Sequence, residues 1–193
     1  MAGLLRIAIV LAALLATTAS AEARLRNAVQ LPAESFDYVT WDPVLKQTPN
    51  RGWRRWGTPK LVETTEIVLR AYRDAHPDAP RVLVGDLSRR HGGWFGARYG
   101  GLGHASHRTG LDVDVYYPRR DRLERAARRP DQVDRALAQD LVDRFVEAGA
   151  TKVFVGPHVH LSGPRNVVTP LVYHDDHLHV RLSARRVNEP VAG

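Results

Sequence analysis

Apolar residues recur along this chain with two different periods, and the change from one to the other marks out the elements. Thr58-Pro59 has the form of an N-cap followed by proline at the first helical position. Leu61, Val62, Val68, Ala71 and Tyr72 then fall on one helical stripe as far as about Ala75, where "HPDAP" ends the helix. "RVLVGDLS" (81–88), rich in β-branched residues and bounded by turn formers, reads as a strand. "TGLDVDVYY" (109–117) alternates Leu111, Val113 and Val115 with Asp112, Asp114 and Tyr116, a strand with both aspartates on one face. Pro130 opens a second helix, with Val133, Leu137, Leu141, Phe145 and Val146 as its apolar stripe and Gly149 just past its end. "TKVFVG" (151–156) is a third strand, and a Pro/Gly-punctuated loop leads on to "LVYHDDHLHVRLS" (171–183). In the last part of that segment His177, His179 and Arg181 alternate with Leu178, Val180 and Leu182, a fourth strand with one polar face. Strands and helices alternate too seldom for a doubly wound parallel sheet. The expected fold is α+β, a small antiparallel sheet with flanking helices.

Three segments fall outside these periods. Residues 1–23 combine a charged start, the apolar run "IAIVLAALLATTA" and small residues that fit an A-x-A cleavage site. That pattern predicts a secretory signal peptide, too short and too weakly flanked for a stable membrane span, leaving residues 24–193 as one domain. "YVTWDPVLKQTPNRGWRRWG" (38–57) holds three of the four tryptophans among basic and turn-forming residues, either a ligand-facing surface or an irregular wrap over the core. "RRHGGWFGARYGGLGH" (89–104) is a glycine-rich excursion, and a loop of that length inside a compact domain is usually functional.

Composition narrows the chemistry. The absence of cysteine removes disulfides, zinc–thiolate ligands and a lipid-bearing cysteine, so any metal must be held by histidine and carboxylate. The net charge of +7 suggests an anionic partner. No nucleic-acid-binding motif accompanies it, so with export expected, an anionic cell-envelope polymer fits better than nucleic acid.

Five of the nine histidines sit in two segments, "GHASHRTGLDVDV" and "HDDHLHVRL". His107 and Asp114 are seven apart, joined by a turn containing Gly110 and a strand that aims Asp114 inward. His177 and His179, two apart on a strand, project from the same face about 7 Å apart. Three of these four groups converging would make a two-histidine, one-carboxylate set with an open position for water, the catalytic form of a zinc site. The fourth, unbound on the same face, would be placed to take a proton from that water. The "HVH" of His158 and His160 lies in a loop with no acidic run beside it and reads as a decoy.

Joined, H-x2-H-x6-D and H-x2-H-x-H closely resemble the motifs of the penicillin-insensitive murein endopeptidases, a zinc metallopeptidase family related to lysostaphin-type and D-alanyl-D-alanine peptidases. The resemblance implies that His107, Asp114 and His179 hold zinc (Zn2+), that His177 is the general base, and that His174 and His104 line the site as polarising or supporting groups. Asp112, Asp175 and Asp176 are then placed to orient imidazoles through their free N–H groups. Where the resembled endopeptidase carries cysteines this chain has none, and the arginine that some relatives place after the first strand has no assigned counterpart among Arg89, Arg90 and Arg98.

What the resemblance implies is an exported, periplasmic hydrolase of peptidoglycan cross-links, acting on the D-alanyl–meso-diaminopimelyl bond without a serine nucleophile that β-lactams could acylate. Two rivals stand beside it. A carboxypeptidase or dipeptidase of the same group would need a closed pocket for a terminal carboxylate. A non-catalytic zinc-dependent wall-binding module would have no use for a base beside the ligands.

Overall fold

The computed structural model describes Leu25, residues 27–94 and residues 106–183. The proposed signal peptide, His104, Arg98 and most of the glycine-rich excursion lie outside the described residues.

The strands in chain order are β1 (Val29–Gln30), β2 (Tyr38–Thr40), β3 (Trp56–Gly57), β4 (Val82–Val84), β5 (Asp112–Tyr116), β6 (Ala150–Val155), β7 (Val168–Pro170) and β8 (His177–Leu182). The helices are α1 (Pro59–Ala75) and α2 (Arg135–Glu147). Six strands form one sheet in the order β2-β4-β5-β8-β6-β7, and β1 pairs with β3 in a small separate ribbon. Its four central strands are the four the alternation predicts, and they are antiparallel throughout. The outer pairs differ: β2 joins β4, and β7 joins β6, in parallel. Both added strands are three residues long. That length is too short for an alternation to register above turn-forming neighbours.

α1 begins as expected. The Thr58 hydroxyl accepts from the Leu61 N–H at 3.2 Å, and Leu61, Val62, Val68 and Tyr72 are buried. α2 starts later than the proline suggests. Pro130–Gln132 is an isolated 3-10 turn, and the α-helix opens at Asp134, whose carboxylate accepts from Leu137 N–H at 3.3 Å. An aspartate side chain satisfies an orphan N–H that proline cannot, so it sets the true start. Gly149 follows at φ 85°, the left-handed conformation that ends the helix.

Both helices cover one face of the sheet. Leu69, Leu141 and Phe145 meet Val84, Val113, Val115, Leu178 and Val180 in a single core. Burying a Leu or Val side chain stabilises the fold by about 1.5–3 kcal/mol relative to leaving it exposed, so this face holds the strands in register. Because the side-chain period is two, every polar partner of these core residues turns to the opposite face. That face is left to chemistry. Among the described residues, no helix is long and apolar enough to cross a membrane.

The aromatic, basic stretch over 38–57 wraps the molecule. Arg54 is fully buried and bonds the Asp86 carboxylate through both Nε (2.6 Å) and Nη2, while Asn50 Nδ2 donates to Asp86 Oδ1 and to the Gly85 carbonyl at 3.0 Å. Backbone then links this pair to the next strand. Asp114 N–H donates to the Asp86 carbonyl at 3.0 Å, and Gly85 N–H to the Asp114 carbonyl at 2.8 Å.

Candidate metal centre

Register alone builds most of the site. β5 and β8 pair Asp112 with Arg181, Asp114 with His179 and Tyr116 with His177. All six side chains therefore stand on the face away from the helices. β6 adds Phe154, opposite His179, with ring centroids 5.8 Å apart. His107 arrives from a 3-10 turn, His107–Thr109, capped by Gly110 at φ 67°. A side chain at Gly110 would be strained at that angle and would run into Leu25.

His107, Asp114 and His179 each offer a ligand atom, all within 4.8 Å of one another, and are 1%, 8% and 4% exposed. His107 Nε2 lies 3.3 Å and His179 Nδ1 3.0 Å from the same oxygen, Asp114 Oδ1. Donors bonded tetrahedrally to zinc at about 2.0–2.1 Å sit about 3.4 Å apart, so this spacing fits a divalent cation.

The second nitrogen of each ring is also occupied. His107 Nδ1–H donates to the Leu87 carbonyl at 2.5 Å, leaving the Nε2 lone pair for a ligand bond. His179 Nε2–H reaches Asp112 Oδ1 at 3.0 Å and Ser106 Oγ at 3.2 Å, leaving Nδ1 free to ligate. Asp112 is fully buried and braced by Thr109 Oγ1 at 3.4 Å and Arg181 Nη2 at 3.7 Å. Carboxylates and carbonyls behind ligating histidines fix tautomer and ring orientation. The Asp112→Asn variant is therefore expected to lower metal affinity about 10–100-fold, checked by competition against a chromophoric chelator. An unchanged affinity would remove Asp112 from this role.

Charges on the face are strongly coupled. Burial acts to raise the Asp114 carboxyl, but the imidazoles of His107, His177 and His179 hold it well below the usual carboxylate range. His179 is opposed by burial yet pushed up to about 9, chiefly by hydrogen bonds to Asp112 and Asp114. In the metal-free protein it therefore carries a proton at neutral pH, which a ligated cation must displace.

His177 lies beside this set rather than in it. Its Nε2 is 3.8 Å from Asp114 Oδ1, and its Nδ1–H donates to Asp176 Oδ1 at 2.6 Å. Burial works against its charged form, but Asp114 and then Asp176 outweigh it and raise its pKa. His174 stacks 4.8 Å from His177, with Nδ1–H donating to the Val172 carbonyl at 2.9 Å. Burial lowers its pKa, favouring the neutral ring with an accepting Nε2. Gly156 makes room for this turn, because a Cβ there would lie 2.6 Å from the His174 carbonyl oxygen.

Of the three aspartates expected to orient imidazoles, Asp112 meets His179 and Asp176 meets His177. Asp175 instead meets His158, at 2.7 Å from its Nδ1, in an exposed pair outside the metal set. Arg89 donates to the Trp94 carbonyl and Arg90 lies over the Trp56 ring. Sequence reasoning missed Leu87, Ser106 and Thr109. A carbonyl carries no residue signature, and a hydroxyl next to a histidine is too common to single out.

A family model described as penicillin-insensitive murein endopeptidase matches residues 18–161, which includes His107 and Asp114 and stops short of His174, His177 and His179. Proteins named penicillin-insensitive murein endopeptidase are 29% identical in Yersinia enterocolitica and 32% identical in Pectobacterium atrosepticum, each over 81% of this chain. A Salmonella heidelberg protein of the same name is 31% identical over 79% of this chain. The chain spans 60–61% of the length of these relatives. With a family model matched over most of its residues, the chain belongs to the penicillin-insensitive murein endopeptidase family.

Proposed function

We propose that this chain is a zinc-dependent endopeptidase of peptidoglycan, hydrolysing the D-alanyl–meso-diaminopimelyl cross-link in the periplasm. In this reading residues 1–23 are a signal peptide and residues 24–193 one metallopeptidase domain. The observation that carries the proposal is the buried His107–Asp114–His179 set with His177 beside it, its Nδ1 held by Asp176 and its Nε2 turned toward Asp114. The net charge of +7 suits an anionic sacculus.

Zinc held by His107 Nε2, the Asp114 carboxylate and His179 Nδ1 would lower the pKa of a bound water to about 7 and polarise the scissile carbonyl. His177 is the proton carrier. Asp176 fixes its tautomer, so the Nε2 lone pair faces the ligand set, as an aspartate does for the histidine of a catalytic triad. The Asp114 charge, first of the two groups that raise His177, is offset once a cation binds it, which returns His177 toward an accepting form. His177 Nε2 takes one proton from the attacking water as its oxygen bonds the carbonyl carbon. The C–N bond then breaks, and the same proton passes to the leaving nitrogen. His174, neutral with Nδ1 committed to Val172, presents an acceptor to the substrate rather than a donor to the oxyanion. No serine is acylated in this route, so β-lactams have no target in it.

Purified sacculi digested with zinc-loaded protein are expected to lose cross-linked dimeric muropeptides and gain monomers, while chelated protein leaves them intact. Dimers that persist at full zinc loading would overturn the assignment. Trimming of terminal D-alanine with dimers intact would move it to a carboxypeptidase.

A further inference from the structure

A pocket of about 610 Å³ opens beside His177 and shares two residues with the site, Tyr116 and Asp176. The ring of Tyr116 lies 5.5 Å from that of His177, and Asp176 is the carboxylate that holds His177 Nδ1. Its lining also includes three cations, Lys46, Arg125 and Arg128, and Trp41, whose ring lies edge-on to that of Tyr116 at 6.3 Å. The pocket's own carboxylates are already engaged, Asp175 by His158 and Asp176 by His177.

Several cations of this molecule are held in ion pairs. Arg51, Arg54, Arg81, Arg119, Arg129 and Arg144 each sit within salt-bridge distance of a carboxylate. Among the described residues, no carboxylate stands within that distance of Lys46, Arg125 or Arg128. Asp121, whose carboxyl feels the Arg125 charge, is bonded by Arg119. With both of its carboxylates bonded to imidazoles, a concave site lined by three cations is a place for an anion, and the guanidinium fork suits a carboxylate.

We propose that Arg125 and Arg128, with Lys46, bind the α-carboxylate of the leaving amino acid, the one on the carbon that bears the scissile nitrogen. The inference rests on the peptidase reading above and deepens it. In a D-alanyl–diaminopimelyl cross-link that carbon carries a free carboxylate, and so does the terminal residue of an uncross-linked D-alanyl-D-alanine stem. Both sources share the chemistry, and Trp41 and Tyr116 offer apolar surface to the methylene chain that only the diaminopimelyl residue has. Anchoring this carboxylate sets the leaving nitrogen against the face that carries His177, where it must collect its proton.

The test compares three peptides: a cross-linked dimer with the α-carboxylate free, the same dimer with it amidated, and an uncross-linked pentapeptide. Binding to the zinc-loaded His177→Ala protein is measured by calorimetry, and turnover with wild type, Arg125→Gln and Arg128→Gln. The free dimer is expected to bind roughly 10–100-fold more tightly than the amidated one, and each glutamine variant to lose most of that difference while leaving the amidated dimer unaffected. Equal binding of free and amidated dimers, or glutamine variants that weaken both alike, would overturn the subsite. Discrimination in binding with no cleavage of any peptide by wild type would keep the subsite and overturn the peptidase reading. Preference for the pentapeptide over the free dimer would assign the carboxylate to a chain terminus.

Discussion

Replacing His177 with alanine is expected to lower kcat on cross-linked muropeptides by about 10²–10⁴-fold while zinc still binds at one equivalent. The reason is geometric. His177 sits 3.8 Å from Asp114 through Nε2 and gives Nδ1–H to Asp176, so it touches the ligand set without completing it. Alanine at His107, Asp114 or His179 is expected to behave differently, losing zinc and activity together, because each supplies one of the three clustered donor atoms. Metal content by atomic absorption beside single-turnover rates separates the two outcomes. Loss of zinc from His177→Ala would mean that a ligand had been taken for a base. Full activity in that variant would leave the proton transfer to another group.

The second large effect is on stability and falls outside the site. Asp86→Ala is expected to destabilise the metal-free protein by about 3–5 kcal/mol, because it removes the carboxylate that both Nε and Nη2 of Arg54 bond in a place with no solvent contact. Denaturant unfolding at neutral pH measures it. Replacing both members, Arg54→Met with Asp86→Leu, is expected to recover much of the loss, since no buried charge then remains. A cost within 1 kcal/mol of wild type, on the scale of an exposed pair, would show that water reaches the pair. The Asp86 carbonyl accepts the Asp114 N–H at 3.0 Å, so a shift of this segment on loss of the side-chain pair is also expected to weaken zinc binding.

The elements that carry the site were legible because they are strongly periodic. In "TGLDVDVYY" and "HLHVRL" the apolar residues alternate without a break, and β5 and β8 form there, with Asp112, Asp114, His177 and His179 on one face as expected. β2 and β7 were not legible. Each is three residues long and gains its place by pairing in parallel with a longer neighbour. Pro130 misled for a related reason, since a proline suits the first turn of a 3-10 segment as well as an α-helix, and the Asp134 cap decided the matter.

By itself, the order of residues determined the central sheet, the two helices, the polar face and the types of donor a metal would meet, because each depends on spacings of one to four residues. The tertiary structure decided which partner each side chain meets, mostly across long separations in the chain. It joined His107 to the Leu87 carbonyl and His179 to Asp112, leaving one nitrogen of each ring free at the same carboxylate oxygen. It also gave Asp176 to His177 and Asp175 to His158, although the two aspartates are neighbours in the chain. Local periodicity says which way a side chain points, but its partner is chosen where two strands and a turn meet.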